Sequence, residues 1–235
     1  MSLCLVGSEM CIRDSMYIMK LIVFQIFTLF VLSCSTTKQE SIVELDSNWE
    51  FKSENDKDYL PASVPGTVHL DLLQNGKIDD PFFRLNEHKL QWIDKLDWEY
   101  RTSFDVNDYH FNYEAIELDF FGLDTYADVF LNDSLIYSSE NMFIGKTVHV
   151  KKKIKKGKNN LLVKFKSPID VGIEKYEKLG YTLPDNANDL SEIGKVPGNK
   201  KVGVFERKAP YSFGWDWGPR LCLLYTSDAA DERSG

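Results

Sequence analysis

The residues best suited to chemistry lie in Tyr211-Ser-Phe-Gly-Trp-Asp-Trp-Gly-Pro-Arg220, where two indoles flank one carboxylate and glycines sit at 214 and 218. Glycine lets such a segment turn tightly, and Trp215 and Trp217 offer flat apolar faces on either side of Asp216. A pyranose suits this set: its C–H face stacks on an indole, and its vicinal hydroxyls donate to a carboxylate in charge-strengthened hydrogen bonds. The same residues also suit a core filled by Trp215 and Trp217, with Asp216 satisfying a turn.

Other reactive side chains are less organised. His69, His88, His110 and His149 show no spacing suited to a metal site or a catalytic triad, and each is expected to be structural or exposed. No pair of acidic residues can be assigned as acid and nucleophile from spacing. The run Lys151, Lys152, Lys153, Lys155, Lys156 and Lys158 invites a membrane-surface reading. The competing reading, a solvated strand end and turn, is the one adopted. No metal or other cofactor is expected.

The elements that must position the tryptophan loop are mainly strands. Short apolar alternations broken by turn residues argue for an all-β sandwich. They predict strands at Ile42–Leu45, Trp49–Lys52, Trp98–Phe104, Ala115–Phe120, Tyr126–Leu131, Ser134–Ser138, Lys146–Val150 and Asn160–Phe165. Leu131-Asn-Asp-Ser-Leu135 reads as a tight hairpin and Lys156-Gly-Lys-Asn-Asn160 as a turn. A helix is predicted over Val68–Gln74, with Thr67 near its start and Asn75-Gly76 at its end, and a second over Ile173–Leu179. Pro168–Val202 is long and polar, with no clear strand.

The two ends read differently from the middle. Met10-Cys-Ile-Arg-Asp-Ser15 and Cys222-Leu-Leu-Tyr-Thr-Ser227 can be encoded by strings that are reverse complements of one another. The shared string resembles the end repeat of a transposase used to prepare sequencing libraries. Residues 1–15 and 222–235 are therefore expected to be translated adapter, which sets them aside from fold reasoning. Of four cysteines only Cys34 then remains, which excludes a disulfide framework or a cysteine zinc site. The ends carry a net −3 of the chain's −8, leaving −5 on residues 16–221, a poor balance for binding nucleic acid.

The natural start is Met16 or Met19. Leu21–Leu32 is an apolar run with Lys20 before it, so residues 16–33 read as a secretory signal peptide. Val31-Leu-Ser-Cys34 resembles a bacterial lipobox in which Cys34 is lipidated, and residues 34–41 then form a polar tether. The expected location is periplasmic or at the outer membrane, with membrane contact only through the lipid. An incidental thiol at an ordinary cleavage site is the alternative.

Several fragments occur together in an order similar to that of β-mannosidases of glycoside hydrolase family 2. They are Val64-Pro-Gly-Thr-Val-His-Leu-Asp-Leu-Leu73, Asp79-Asp-Pro-Phe-Phe83, Trp98-Glu-Tyr-Arg101, Gly122-Leu-Asp-Thr-Tyr-Ala127, Leu131-Asn132, Asn141-Met-Phe143, Arg207-Lys208 and Ser212–Arg220. The resemblance covers about residues 42–221. It implies a jelly-roll β-sandwich like galactose-binding modules, the N-terminal sugar-binding domain of an exo-acting, retaining enzyme that removes terminal β-D-mannose. It further implies that Trp215, Asp216 and Trp217 contact the mannose, and that both catalytic glutamates belong to a barrel domain outside this stretch. The chain by itself is then expected not to hydrolyse a glycoside. Arg207 and Arg220 could pair with Asp216, line the pocket or form structural ion pairs. A non-enzymatic carbohydrate-binding lipoprotein is the competing class. A purely scaffolding domain is a third reading, and β-galactosidase or β-glucuronidase activity is the variant within the family.

Overall fold

Inward apolar residues alternating with outward polar ones build two facing sheets. The structure is a computed structural model that describes residues 41–181, 183–184, 187–191, 201–216, 218–222, 225–226 and 229–234. The larger sheet is antiparallel and six-stranded, in the order Leu60–Ala62 (β3), Trp49–Ser53 (β2), Trp98–Val106 (β5), Gly157–Phe165 (β11), Tyr126–Leu131 (β8) and Ser134–Glu140 (β9). The second has four strands in the order Ser41–Glu44 (β1), Ala229–Ser234 (β13), Ile116–Phe120 (β6) and Lys146–His149 (β10). A small third sheet joins Gly66–Thr67 (β4), Tyr225–Thr226 (β12) and Leu123–Asp124 (β7). The helices are Val68–Gln74 (α1), Asn86–Lys89 (α2) and Pro168–Leu179 (α3).

The core lies between the sheets. Strand β11 buries Leu161, Val163 and Phe165 while Lys158 and Lys164 face out, and β6 buries Ile116, Leu118 and Phe120. Aromatic rings fill the middle: Phe51 stacks on Trp98 at 5.8 Å, and Tyr100 meets Phe165 edge-on at 5.9 Å. Helix α1 is tied to this core by one buried carboxylate. Asp71 accepts from the Tyr100 hydroxyl at 2.6 Å and from the Ser63 amide at 2.8 Å. Burial raises the Asp71 pKa from its ordinary value, with the Tyr100 and Ser63 hydrogen bonds opposing it, and burial with the adjacent Asp71 raises that of Tyr100. Gly66 is required here, because a Cβ would lie 2.2 Å from the Ser63 carbonyl oxygen.

The β8–β9 hairpin turns through Asn132 and Asp133, both with positive φ (48° and 66°), the conformation that favours Asn and Asp in two-residue hairpins. Asn159, fully buried, accepts from the Lys155 amide and donates to the Lys155 carbonyl, closing the lysine-rich turn. Lys152, Lys153, Lys155, Lys156 and Lys158 are exposed around buried Ile154, which is the solvated-turn arrangement. His69 and His110 are buried, whereas His88 and His149 are exposed.

Three short strands, β3, β4 and β7, have no counterpart in the alternation read from the sequence. Helix α3 begins five residues before its predicted start, with Ser167 capping it and Pro168 in its first turn. The sheets also extend past Leu221, where the sequence reading bounds the domain: β13 pairs with β1 and β6, and β12 with β4 and β7. Ladder hydrogen bonds use backbone alone, so an extended segment can close such edges whatever its coding origin. The predicted signal segment, Cys34, residues 1–15 and Trp217 lie outside the described residues.

Candidate functional site

The tryptophan loop hangs between two buried ion pairs. At its start the Lys208 ammonium donates to Asp124 Oδ2 at 2.5 Å, with side chains 0% and 5% exposed. Asp124 ends β7, and its other carboxylate oxygen accepts from the Thr125 hydroxyl. At the loop's end the Arg220 guanidinium reaches Asp94 Oδ2 at 2.5 Å and the Gln91 side-chain oxygen. The Arg220 amide donates to Glu87 Oε1 at 2.6 Å, and Gln91 donates back to the Arg220 carbonyl at 2.9 Å. Asp94 also accepts from the Lys95 ammonium at 2.9 Å and sits in the 3-10 turn Ile93–Lys95, just after α2. Groups so deeply buried would be costly unpaired, so each anchor has a strong reason to stay closed.

Between the anchors the chain dips into a small apolar cluster of Ile169, Val202, Phe213 and Cys222. Phe213 comes from the 3-10 turn Pro210–Phe213, and its carbonyl accepts from the Leu190 amide at 2.9 Å. Gly214 follows with φ +138°, and a Cβ there would lie 2.3 Å from the Asn188 carbonyl oxygen. The chain then rises to the surface, leaving Asp216 exposed and Trp215 40% exposed. Met142 supports the entry to the loop: its amide donates to the Arg207 carbonyl at 3.1 Å, and its sulfur accepts from the Ala209 amide at 3.0 Å.

Of the residues singled out in the sequence, Trp215 and Asp216 are brought to the surface together. Arg220 does not pair with Asp216 but anchors on Asp94, the structural ion-pair reading, while the Arg207 side chain is exposed. Sequence reasoning missed Glu87, Gln91, Asp94, Lys95 and Glu206 as participants. The other partners were present in separate fragments, Asp124 in Gly122–Ala127 and Met142 in Asn141–Phe143, and the fold makes those fragments converge.

The buried groups are electrostatically perturbed. Burial pushes His69 down to about 4, with Lys208 and Arg220 adding to the effect and Asp94 opposing it. Burial pushes the Cys222 thiol up to about 12. A groove of about 440 Å³, on the six-stranded sheet, is lined by Glu50, Tyr59, Arg101, Asn160 and Leu162 among others and, among the described residues, includes none of the loop.

The family model for the glycosyl hydrolase 2 galactose-binding domain-like group matches residues 49–224. The chain belongs to that family. This galactose-binding-like domain is 36% identical over 203 residues to a probable β-mannosidase of Caenorhabditis elegans, covering 85% of the chain and 22% of the relative. It is 36% identical over 188 residues to β-mannosidase B of Thermothelomyces thermophilus, covering 77% and 20%. Among solved structures it is similar to the β-D-mannosidase of Dictyoglomus thermophilum, with TM-score 0.74 and 40% identity, covering 83% of this chain and 22% of that one. The chain thus spans about a fifth of the length of the relatives it matches.

Proposed function

We propose that this chain is the N-terminal sugar-binding domain of an exo-acting, retaining β-mannosidase, and that Trp215, Asp216 and Trp217 contact the terminal β-D-mannose. The observation that carries the reading is the loop geometry. Two buried ion pairs fix both ends of the segment while Asp216 and the Trp215 indole face solvent. Buried aromatic core residues would not need that suspension. An exposed carboxylate beside an indole can accept from sugar hydroxyls and pack along the ring, and binding energy at hydroxyls remote from the reacting bond assists distortion toward the transition state. The likeness to β-mannosidases supports mannose as the sugar. In this reading the acid/base and nucleophile glutamates belong to the barrel domain of the whole protein, and the domain described here recognises the non-reacting side of the sugar.

The test is hydrolysis by the whole protein. An aryl β-D-mannoside should be cleaved with retention of anomeric configuration, observed by NMR, and aryl β-galactoside and β-glucuronide should be poor substrates. Preference for either of the latter would overturn the mannose assignment. We further propose that residues 16–33 direct export and that Cys34 carries a lipid. Replacing Cys34 by Ala should move the protein from the membrane to the soluble fraction, and an unchanged distribution would remove the anchor from the account.

A further inference from the structure

Exposed apolar side chains gather on one side of the tryptophan loop. Phe121 follows β6 and is 51% exposed, Phe143 and Ile144 follow β9 at 65% and 56%, and Tyr211 at the start of the loop is 61% exposed. Such residues scattered singly over a surface would mean little, but these four come from adjoining segments. At Gly145 the chain runs so close to the end of β6 that a Cβ would lie 3.3 Å from the Phe121 Cα and 2.9 Å from the Phe120 carbonyl oxygen. Met142, on the other side of Phe143 and Ile144, is bonded to the loop entry through the Arg207 carbonyl and the Ala209 amide. The Gly214 amide then donates to the Tyr211 carbonyl at 3.3 Å, so the strip reaches the turn that carries Trp215 and Asp216.

The strip is held in place without serving the interior. The Phe143 amide donates to Asn141 Oδ1 at 3.0 Å, fixing the turn, yet none of the four side chains packs into either apolar cluster of the domain. A half-exposed side chain of this size presents about 100 Å², so the four offer on the order of 400 Å², enough to mark an interaction site and comparable with one side of an inter-domain contact. The two relatives are covered over 22% and 20% of their length, which leaves about four fifths of each without a counterpart in this chain.

We propose that Phe121, Phe143, Ile144 and Tyr211 form the surface on which the remaining domains of the whole protein dock, with Trp215 and Asp216 at its rim. Whatever covers the strip brings its own side chains up to that rim. In the mannosidase reading the acid/base and nucleophile must arrive there from outside this chain, and a second copy of this domain would bring neither. The choice of occupant rests on that reading; the existence of a covered strip does not.

Hydroxyl-radical footprinting of the whole protein tests the surface on its native side chains, with no substitution that could disturb folding. Tyr109 and Leu135, 52% and 51% exposed and outside the strip, are the references. After correction for intrinsic reactivity, Phe143 and Tyr211 should be oxidised about tenfold more slowly than the references, the ratio of a half-exposed to a core side chain, and the protection should persist on dilution. Equal reactivity overturns the proposal. Protection that disappears on dilution overturns it in favour of a second copy as the occupant. If both rings are protected at every dilution but no mannoside is cleaved, the docking surface stands and the mannosidase reading falls; reactive rings in an active mannosidase give the reverse.

Discussion

Gly214 shows how much the loop asks of single residues. Its φ of +138° and the 2.3 Å clash a Cβ would make with the Asn188 carbonyl oxygen leave no room for a side chain. Gly214→Ala should therefore lower stability by about 2 kcal/mol or more, at the upper part of the range for a strained backbone position, measurable by urea denaturation. Gly218 has open space around its Cβ position and differs in this respect, although the sequence presents the two glycines symmetrically. Trp215 and Asp216 stood out in the sequence as a pair whose types would suit a sugar, because their chemistry is local, and the structure brings both to the surface. Their anchors did not stand out. Lys208 and Asp124 are 84 residues apart in sequence, and Arg220 and Asp94 are 126 apart, so neither pair leaves a spacing signal.

At the scale of elements, the same physics sorts what was readable. Strands β5, β8 and β11 were found because each is long enough for alternation to declare an inner face, as in Trp98, Tyr100 and Thr102 of β5. Strands of two or three residues, such as β4 and β7, carry no period, yet β7 supplies Asp124. Helix α3 was placed late because Gly172 interrupts it, and the reason for that glycine is its contact with Val202 and Glu206. The anchors joining these elements differ from surface pairs in energy. Asp94→Ala would leave Arg220 and Lys95 buried without their carboxylate and should cost about 3–5 kcal/mol. Glu50→Ala, which removes the half-exposed Arg101–Glu50 pair, should cost less than about 1 kcal/mol. Denaturant titration of both variants checks the contrast, and similar losses would contradict the clamp.

Over the whole molecule, a sandwich with its core between two sheets was evident from composition and alternation, and the galactose-binding-like family agrees with it. The sequence did not show that a buried carboxyl makes stability depend on pH near neutrality. Glu206 has a folded pKa of about 7 against an ordinary 4.5, so the folded state holds its proton more tightly than the unfolded chain. The stabilisation from that proton is fully present below about pH 4.5 and lost as pH rises through about 7. At 1.36 kcal/mol per unit the difference of about 2.5 units is on the order of 3 kcal/mol. Glu206→Gln should gain about that much stability relative to the wild type between pH 5 and pH 8, read from urea midpoints at both pH values. A constant difference would show that Glu206 titrates normally.

The central claim is that the suspended loop touches the sugar, and Asp216 is its most direct witness. It is exposed, so its loss should not disturb the fold, whereas charge-assisted hydrogen bonds to sugar hydroxyls are each worth about 1.5–3 kcal/mol. The decisive measurement is kcat/KM on an aryl β-D-mannoside for the whole protein and its Asp216→Ala variant, with Tm recorded for both. A fall of about 100-fold or more at an unchanged Tm is the expected result. A kcat/KM within about threefold of the wild type, less than 1 kcal/mol, would mean that Asp216 only shapes a turn and that sugar recognition lies elsewhere.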